Sequence, residues 1–172
     1  INARLHHLLD WLRDAQPDIL CLQELKCETA KVPFQAIEDA GYNIIAHGQK
    51  SYNGVAILSK FPIEITTNQL PLLTENDSDD EQARYIEGFI SIPTDDKNYK
   101  VIRVSSIYVP NGGEVDSDKF HYKLAFYNRL HMHAQQLLIE EEPCILAADY
   151  NVAPYDQDIY APDKLRDTTC FH

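Results

Sequence analysis

Hydrophobic residues recur at helical spacing in two short segments near the start of the chain. Four leucines at positions i, i+3, i+4 and i+7 predict an amphipathic helix, with Asn2 as its cap and Pro17 after its end. A second helix is predicted from Val32 to Ala40, where Gly41 closes it. The four leucines are Leu5, Leu8, Leu9 and Leu12.

The longest helical pattern runs from Asp118 to Glu142 and carries one apolar stripe. Lys119, Lys123 and Arg129 lie between the members of that stripe, and charged side chains of this kind usually point to solvent. We therefore expect these three cations on the solvated face of the helix and not in a nucleic-acid-binding patch. The stripe consists of Phe120, Leu124, Tyr127, Leu130, Ala134, Leu137 and Leu138.

Short apolar runs bounded by turn residues predict strands between the helices. The runs from Arg84 to Ile92 and from Tyr99 to Val109 are expected to pair antiparallel, because a short polar turn joins them. A further run begins at Cys144 and ends before Asp149, as expected for a buried strand. The other predicted strands are Asp18 to Leu22, Tyr42 to His47, Val55 to Leu58 and Ile63 to Leu70.

The composition is that of an ordinary globular domain. The chain has 172 residues, 44% of them hydrophobic and 24% charged, so we interpret 1–172 as one domain or a large part of one. No apolar run approaches the ~20 residues that span a bilayer, and no membrane partner is expected. The four cysteines form no Cys-x-x-Cys pair, which favours a reduced, cytoplasmic location. Because the chain begins at Ile1 without a methionine, we expect it to belong to a longer protein.

The net charge of −12 argues against nonspecific affinity for nucleic acid, since such affinity depends on neutralising the phosphate backbone. The charge is unevenly placed. Five acidic residues lie in a stretch without apolar periodicity, which predicts a solvated loop. The five residues are Glu75, Asp77, Asp79, Asp80 and Glu81.

Two polar side chains follow the apolar run that begins at Cys144. Asp149 and Asn151 are two residues apart, so in an extended chain they point to the same side. A carboxylate beside a neutral amide suits a general base and the group that orients it. The alternative is a polar strand exit with an Asx turn, and the pair alone does not decide between the two.

Polar residues also follow two other predicted strands. Glu24 leaves the first of them, and Lys26 stands two residues further on, which is typical of a hard-metal ligand beside a phosphate contact. Tyr108 is expected at the same sheet edge as Glu24 and Asp149 if the strands are aligned. Its hydroxyl could donate to a phosphate there, whereas the alternative is an aromatic residue at the core edge before a Pro-Asn-Gly turn.

The order of the motifs at these strand ends resembles a known family. The chain is similar over essentially its whole length to the exonuclease III branch of the endonuclease/exonuclease/phosphatase family, whose members are DNA-repair nucleases of DNase I-like fold. The resemblance implies an α/β fold, the larger part of a four-layer sandwich in which two mixed sheets pack face to face with helices outside. The motifs are Leu22-Gln23-Glu24-Leu25-Lys26, Tyr52-Asn53-Gly54-Val55-Ala56-Ile57-Leu58-Ser59, Tyr108-Val109-Pro110-Asn111-Gly112 and Asp149-Tyr150-Asn151.

The resemblance also implies roles for individual residues. Glu24 matches the metal-ligating glutamate, with Asp149 and Asn151 at the same metal site. Asp149 matches the acid that activates or positions the attacking water, and Asn151 the amide that orients this water and contacts phosphate. Tyr108 matches the active-site tyrosine. Oxygen ligands of this kind select Mg²⁺ or Mn²⁺. The residues expected to contact DNA or its phosphates are Lys26, Arg84 and Asn111.

The function that the resemblance implies is that of a Mg²⁺-dependent DNA phosphodiesterase of base-excision repair. It would act as a monomer on double-stranded DNA, cutting at abasic sites and trimming 3′ ends. One alternative is a noncatalytic fragment that binds DNA or a protein partner. Another is a family phosphatase that acts on small or lipid phosphates.

Two departures from the family pattern bear on activity. Ala148 stands where the family usually has glycine, and alanine is unstrained there only if it keeps a negative φ. The family's N-terminal strand with its metal-site asparagine, and its C-terminal strands with an aspartate–histidine pair, have no counterpart in residues 1–172. We therefore expect these residues alone to be inactive.

Overall fold

Two β-sheets lie face to face in the structure, a computed structural model that describes residues 1–72, 80–96, 98–166, 168, 170 and 171. The strands are β1 (Ile19–Gln23), β2 (Asn43–His47), β3 (Val55–Ser59), β4 (Ile63–Thr67), β5 (Tyr85–Pro93), β6 (Tyr99–Tyr108) and β7 (Cys144–Asp149). The α-helices are α1 (Leu5–Ala15), α2 (Phe34–Asp39), α3 (Asp118–Ile139) and α4 (Pro162–Leu165). No helix of the described ranges is long and apolar enough to cross a membrane.

The strand pairing separates the chain into a three-stranded and a four-stranded sheet. The smaller sheet has the order β1-β3-β2, and both of its pairs are antiparallel. The larger sheet has the order β4-β5-β6-β7, in which β5 and β6 form the predicted antiparallel pair and β6 and β7 run parallel. A parallel neighbour requires a crossover, which α3 provides. This crossover places Tyr108 directly opposite Asp149.

The residues of β3 alternate between two hydrophobic clusters. Val55 and Ile57 face the larger sheet, where they pack with Ile86, Ile90 and Val104. The residues between them face the other way, because successive strand side chains point to opposite sides of a sheet. These outward residues are Ala56 and Leu58, and they pack on α1 and α2 in a cluster with Leu12, Leu25 and Ile37.

The outer face of the larger sheet is covered by α3. Tyr85, Ile107 and Val109 of that face pack against Phe126 and Leu130 of the helix. The layers therefore follow the order helix, sheet, sheet, helix. The predicted α/β sandwich is confirmed.

The first two helices differ from their predicted forms. Asn2 does not cap α1; it lies in a 3-10 turn, Asn2–Arg4, and its amide donates instead to the backbone oxygen of Lys31 at 3.0 Å. The helix predicted from Val32 to Ala40 is shortened to Phe34–Asp39. Pro33 is the reason, since the residue before a proline is driven into an extended conformation, which Val32 adopts.

The face of α3 that meets the sheet matches the predicted stripe only in part, since Phe120, Leu130 and Leu137 are buried as predicted. Lys123 and Arg129 were expected in solvent, but only 2% and 8% of their surfaces are exposed. Leu124 and Leu138 were expected in the core and are 49% and 73% exposed. A buried cation is tolerated where backbone oxygens accept hydrogen bonds from it. Arg129 donates such bonds to the carbonyl oxygens of residues 70 and 71. Lys119 is exposed as predicted.

The acidic segment is only partly described. Glu75, Asp77 and Asp79 lie outside the described residues. The prediction of a solvated loop is wrong for Asp80, whose side chain is 10% exposed and accepts a hydrogen bond from the Tyr122 hydroxyl at 2.6 Å. The strand predicted from Ile63 to Leu70 is also shorter in the structure, where β4 ends at residue 67. Leu70 lies beyond the strand and packs against α3.

A buried carboxylate links β5 and β6 to α3. Glu87 is 1% exposed and accepts hydrogen bonds from Tyr85, Arg103 and Ser105 at 2.7, 2.7 and 3.1 Å. His133 lies 3.2 Å away on α3. Burial alone would raise the pKa of Glu87, but the hydrogen bonds from His133, Tyr85 and Arg103 outweigh burial and hold the pKa far below its ordinary value.

Replacing Glu87 by glutamine should lower the free energy of unfolding by roughly 1–3 kcal/mol at pH 7, because Arg103 Nη1 loses its buried carboxylate while Nη2 keeps Glu142 at 2.9 Å. The ionised carboxylate stabilises the fold above its unfolded pKa of about 4.3. That contribution is lost as the pH falls toward the lowered folded value, so the difference between variant and wild type should shrink in acid. Urea unfolding at several pH values measures it. Exposed Glu64→Gln on β4 is the control, and an equal effect in both variants would contradict the assignment.

Candidate active site

The carboxyl ends of β1, β6 and β7 meet at one edge of the two sheets. The Tyr108 hydroxyl at the end of β6 donates to Glu24 Oε1, just after β1, at 2.9 Å. Asp149 ends β7 opposite Tyr108, and the Val109 amide donates to the Asp149 backbone oxygen at 3.0 Å. Tyr108 and Asp149 therefore share an edge of the larger sheet as predicted, whereas Glu24 reaches Tyr108 from the smaller sheet.

The turn that carries Glu24 is held in an unusual conformation. Glu24 and Lys26 both have left-handed backbones, with φ of 56° and 55°. Such residues persist only where neighbouring structure fixes them, and here the amides of residues 25 and 26 donate to the carbonyl oxygens of Gly54 and Asn53 at 3.1 and 2.9 Å. A Cβ on Gly54 would lie 2.8 Å from that of Leu25. The approach of the two turns thus requires this glycine.

The carboxylate of Glu24 is engaged at both oxygens. Lys26 Nζ lies 2.5 Å from Oε2, and Tyr108 donates to Oε1. Lys26, followed by Tyr108, lowers the pKa of Glu24 and so keeps it ionised. Burial and the adjacent carboxylate raise the pKa of Tyr108, so its hydroxyl keeps its proton and remains a donor.

Arg84 supports Tyr108 from below. Its guanidinium lies 5.0 Å from the centre of the Tyr108 ring, and Nη1 donates to the Tyr108 backbone oxygen at 3.2 Å. Nε donates to Gln82 Oε1 at 2.7 Å. Arg84 therefore orients the tyrosine, and its predicted contact with DNA stays a prediction.

Amide side chains that sequence reasoning did not single out form the base of this region. Asn53 is 7% exposed and donates to the side-chain oxygens of Gln49 and Gln82 at 2.8 and 3.2 Å. The Ala83 amide also donates to Gln49, at 2.9 Å. The Tyr-Asn-Gly motif signals Asn53, but Gln82 follows an acidic stretch and carries no recognisable signal.

The loops after β6 and β7 bring two asparagines together. Asn111 Nδ2 lies 3.4 Å from Asn151 Oδ1, and Asn151 Nδ2 donates to the Val109 carbonyl at 2.8 Å. The Asn151 amide donates to Asp149 Oδ1 at 2.9 Å, so the Asx turn considered as the alternative is present together with the clustering. Ala148 lies within β7 and is not among the residues with positive φ, so alanine is unstrained there.

A small cleft of about 270 Å³ adjoins Asn111. Its lining includes the side chains of Arg84 and Lys119. These two cations provide positive charge beside the site in a chain whose net charge is −12. The cleft is therefore suited to an anionic group such as a phosphate.

The donor atoms at the sheet edge are those that a hard divalent cation prefers. Glu24 and Asp149 offer carboxylate oxygens and Asn151 an amide oxygen, and none of the three donors is a thiolate or an imidazole. Within the described ranges, no group of three or more acidic, histidine or cysteine side chains is placed to hold a metal ion. Mg²⁺ does not require one, since it keeps several waters and takes one or two carboxylates together with substrate phosphates. The residues present thus fit Mg²⁺ or Mn²⁺.

A sandwich of two sheets that pack face to face between helices is the fold of DNase I-like proteins. The chain belongs to the Endonuclease/Exonuclease/phosphatase family, whose sequence profile matches residues 2–169.

Individual relatives lie in the exonuclease III and AP endonuclease branch. Exodeoxyribonuclease III of Haemophilus influenzae is 29% identical over 167 residues, which are 96% of this chain and 59% of the relative. An AP endonuclease from Archaeoglobus fulgidus superimposes with a TM-score of 0.85 at 36% identity, over 100% of this chain and 62% of that one. A variant of the 3′ phosphatase NExo from Neisseria, bound to product DNA hairpin, has a TM-score of 0.83 at 33% identity, with 99% and 62% covered. The chain thus spans about three fifths of these relatives' length.

Substituting Lys26 by methionine should raise the pKa of Glu24, because it removes the main cause of the lowered value. Tyr108→Phe should raise it less, since its hydrogen bond is the second cause. NMR titration of the Glu24 carboxyl carbon measures both changes. Lys31→Met, which removes a lysine paired with Glu28 instead, is the matched control. An unchanged pKa in Lys26→Met would contradict the ion pair.

Proposed function

We propose that the whole protein is a Mg²⁺-dependent DNA phosphodiesterase of base-excision repair, of the exonuclease III type. The observation that carries the proposal is the convergence of Glu24, Tyr108 and Asp149, with Asn111 and Asn151 beside them, at one sheet edge. The names of the relatives support the same activity. Its substrates would be abasic sites in duplex DNA and DNA 3′ ends.

Asp149, whose side chain is exposed, is assigned as the general base that activates the attacking water. It accepts a proton from water as the water oxygen bonds to phosphorus, while the bond from phosphorus to the leaving sugar oxygen breaks and that oxygen takes a proton from solvent. Asn151 orients this water and contacts a phosphoryl oxygen. The Tyr108 hydroxyl keeps its proton and donates it to Glu24 in the structure. It would turn this single donor to the phosphate when a divalent cation takes the Glu24 carboxylate.

Negative charge on the phosphate is balanced locally. A divalent cation held by Glu24, Asp149 and Asn151 would supply Lewis-acid stabilisation of that charge. Lys26, Arg84 and Asn111 add the predicted contacts to the DNA strand. Such local contacts suit binding at one phosphate better than nonspecific binding along DNA, since the chain as a whole carries a charge of −12.

We further propose that the protein acts as a monomer in the reduced environment of the cytoplasm. All four cysteines are free in the fold, as such an environment favours. Sedimentation of the whole protein tests the first part and its localisation in cells tests the second.

Removal of a 3′ phosphate from DNA is a second candidate activity. It is favoured by the similarity to the Neisseria protein, which is named a 3′ phosphatase. The same groups would serve it, because the attack of water on phosphorus is unchanged and only the position of the phosphate differs.

The deciding experiment measures cleavage of an abasic duplex and of a duplex with a 3′ phosphate by the whole protein, with Mg²⁺ and with EDTA. Mg²⁺-dependent incision of the abasic duplex is expected. Release of phosphate from the 3′ end alone would favour the second candidate. DNA binding without any turnover would overturn both candidate activities and indicate a noncatalytic binding protein. Turnover of a small or lipid phosphate, measured in the same way and not inhibited by duplex DNA, would indicate a family phosphatase.

Two variants of the whole protein test the assigned roles. Glu24→Gln should weaken Mg²⁺ binding and cut the rate by orders of magnitude, because it removes a charged ligand but keeps the shape. Asp149→Asn should lower kcat by roughly 10²–10⁴-fold and leave DNA affinity largely in place, since it removes the base but keeps the size of the side chain. Normal Mg²⁺ dependence in the first variant, or a change confined to KM in the second, would refute the corresponding role.

Residues 1–172 alone should show no appreciable nuclease activity and should associate in solution. The resemblance implies that further site residues lie in segments with no counterpart here, and a constellation that acts as a unit loses nearly all activity without one member. Uncovered sheet edges also favour association. Cleavage of abasic duplex and sedimentation of the same sample measure both. A monomer as active as the whole protein would contradict the prediction.

A further inference from the structure

A buried lysine lies beneath the two asparagine loops of the site. Lys123 on α3 is 2% exposed, and its Nζ donates to the backbone oxygen of Asn151 at 2.7 Å and to that of Asn111 at 3.2 Å. Lysine is seldom this buried unless its charge is matched. Burial lowers the pKa of Lys123, while nearby Cys170 and Asp149 act in the opposite direction.

The two carbonyls belong to different loops, so one ammonium group joins them. Asn111 follows β6 and Asn151 follows β7. The side chains of the two asparagines approach each other above, at 3.4 Å, and Asn151 Nδ2 holds the Val109 carbonyl. Lys123 closes this arrangement from the helix side.

The hydrogen bond from Lys123 to Asn151 is important because of the backbone conformation of Asn151. With φ of 49° it is left-handed, a conformation that asparagine adopts more readily than most residues and that local hydrogen bonds stabilise. The direction of its side chain depends on that backbone. Lys123 binds the Asn151 carbonyl, and Tyr127, one turn further along α3, donates to the Tyr150 carbonyl. The helix thus holds two successive carbonyls of the loop after β7.

We infer that Lys123 is a positioning residue, which sets the side chains of Asn111 and Asn151 at the reacting phosphate by binding their backbone oxygens. The inference rests on the proposed function for the part that concerns turnover. It does not depend on that function for the part that concerns the loops themselves. Lys123 touches neither substrate nor metal in this role.

The test compares Lys123→Met in the whole protein with wild type. Methionine keeps most of the apolar stem and removes the ammonium group. Lys123→Arg restores charge and donors. Lys100→Met, at an exposed lysine of β6, is the matched control. Hydrogen exchange is followed in peptides covering 108–113 and 149–153 and in β5, and kcat and KM are measured on abasic duplex below the unfolding midpoint of each variant.

In Lys123→Met we expect faster exchange in the two loop peptides, unchanged exchange in β5, and a loss of kcat of roughly 10- to 100-fold, the size expected for a small displacement of catalytic groups. KM should change by less than about threefold, and Lys123→Arg should recover part of kcat. Lys100→Met should behave as wild type.

Exchange that is unchanged in the loops, or that accelerates equally in β5, would overturn the positioning role, since the second result is that of general destabilisation. Wild-type kcat in Lys123→Met would overturn it as well. A wild-type protein that cleaves no DNA would overturn the proposed function instead, and hydrogen exchange would still decide whether Lys123 holds the two loops.

Discussion

The parallel pairing of β6 with β7 is the constraint on which the candidate site depends. It sets Tyr108 opposite Asp149 and brings the loops that carry Asn111 and Asn151 out side by side. Parallel strands need a crossover, and the crossover helix α3 returns across the sheet directly under those loops. The element that makes the pairing possible therefore also supplies the lysine that binds both loops.

The second half of the site comes from the other sheet. Glu24 reaches Tyr108 only because the two sheets pack face to face, with Val55 and Ile57 meeting residues of β5 and β6 between them. Its left-handed turn is held by backbone hydrogen bonds to the turn at Gly54. Packing of the apolar faces of the two sheets thus determines the distance between the Glu24 carboxylate and the Tyr108 hydroxyl.

Charge is arranged differently at the site and beneath it. Lys26 and Arg84 stand beside Glu24 and Tyr108 near the surface, in a chain whose overall charge is negative. Below, Glu87 is surrounded by hydrogen-bond donors and Lys123 by carbonyls, so neither buried charge lacks a partner. Buried charges that are satisfied in this way hold elements in register, because losing one partner leaves the other uncompensated.

Local patterns in the sequence were enough to determine most strands and the residues that leave each strand end, since alternation and turn residues act over a few positions. The order of the motifs at those ends implied the sandwich. The patterns also placed Tyr108 and Asp149 together, because aligned neighbouring strands end at one edge of a sheet. Glu24 joins them from the other sheet, and only the packing of the two sheets decided that. The burial of Lys123 and Arg129 was decided only by the tertiary structure. Helical periodicity assigns a charged residue to solvent, and it does not account for backbone oxygens that come from residues 12 positions away or more.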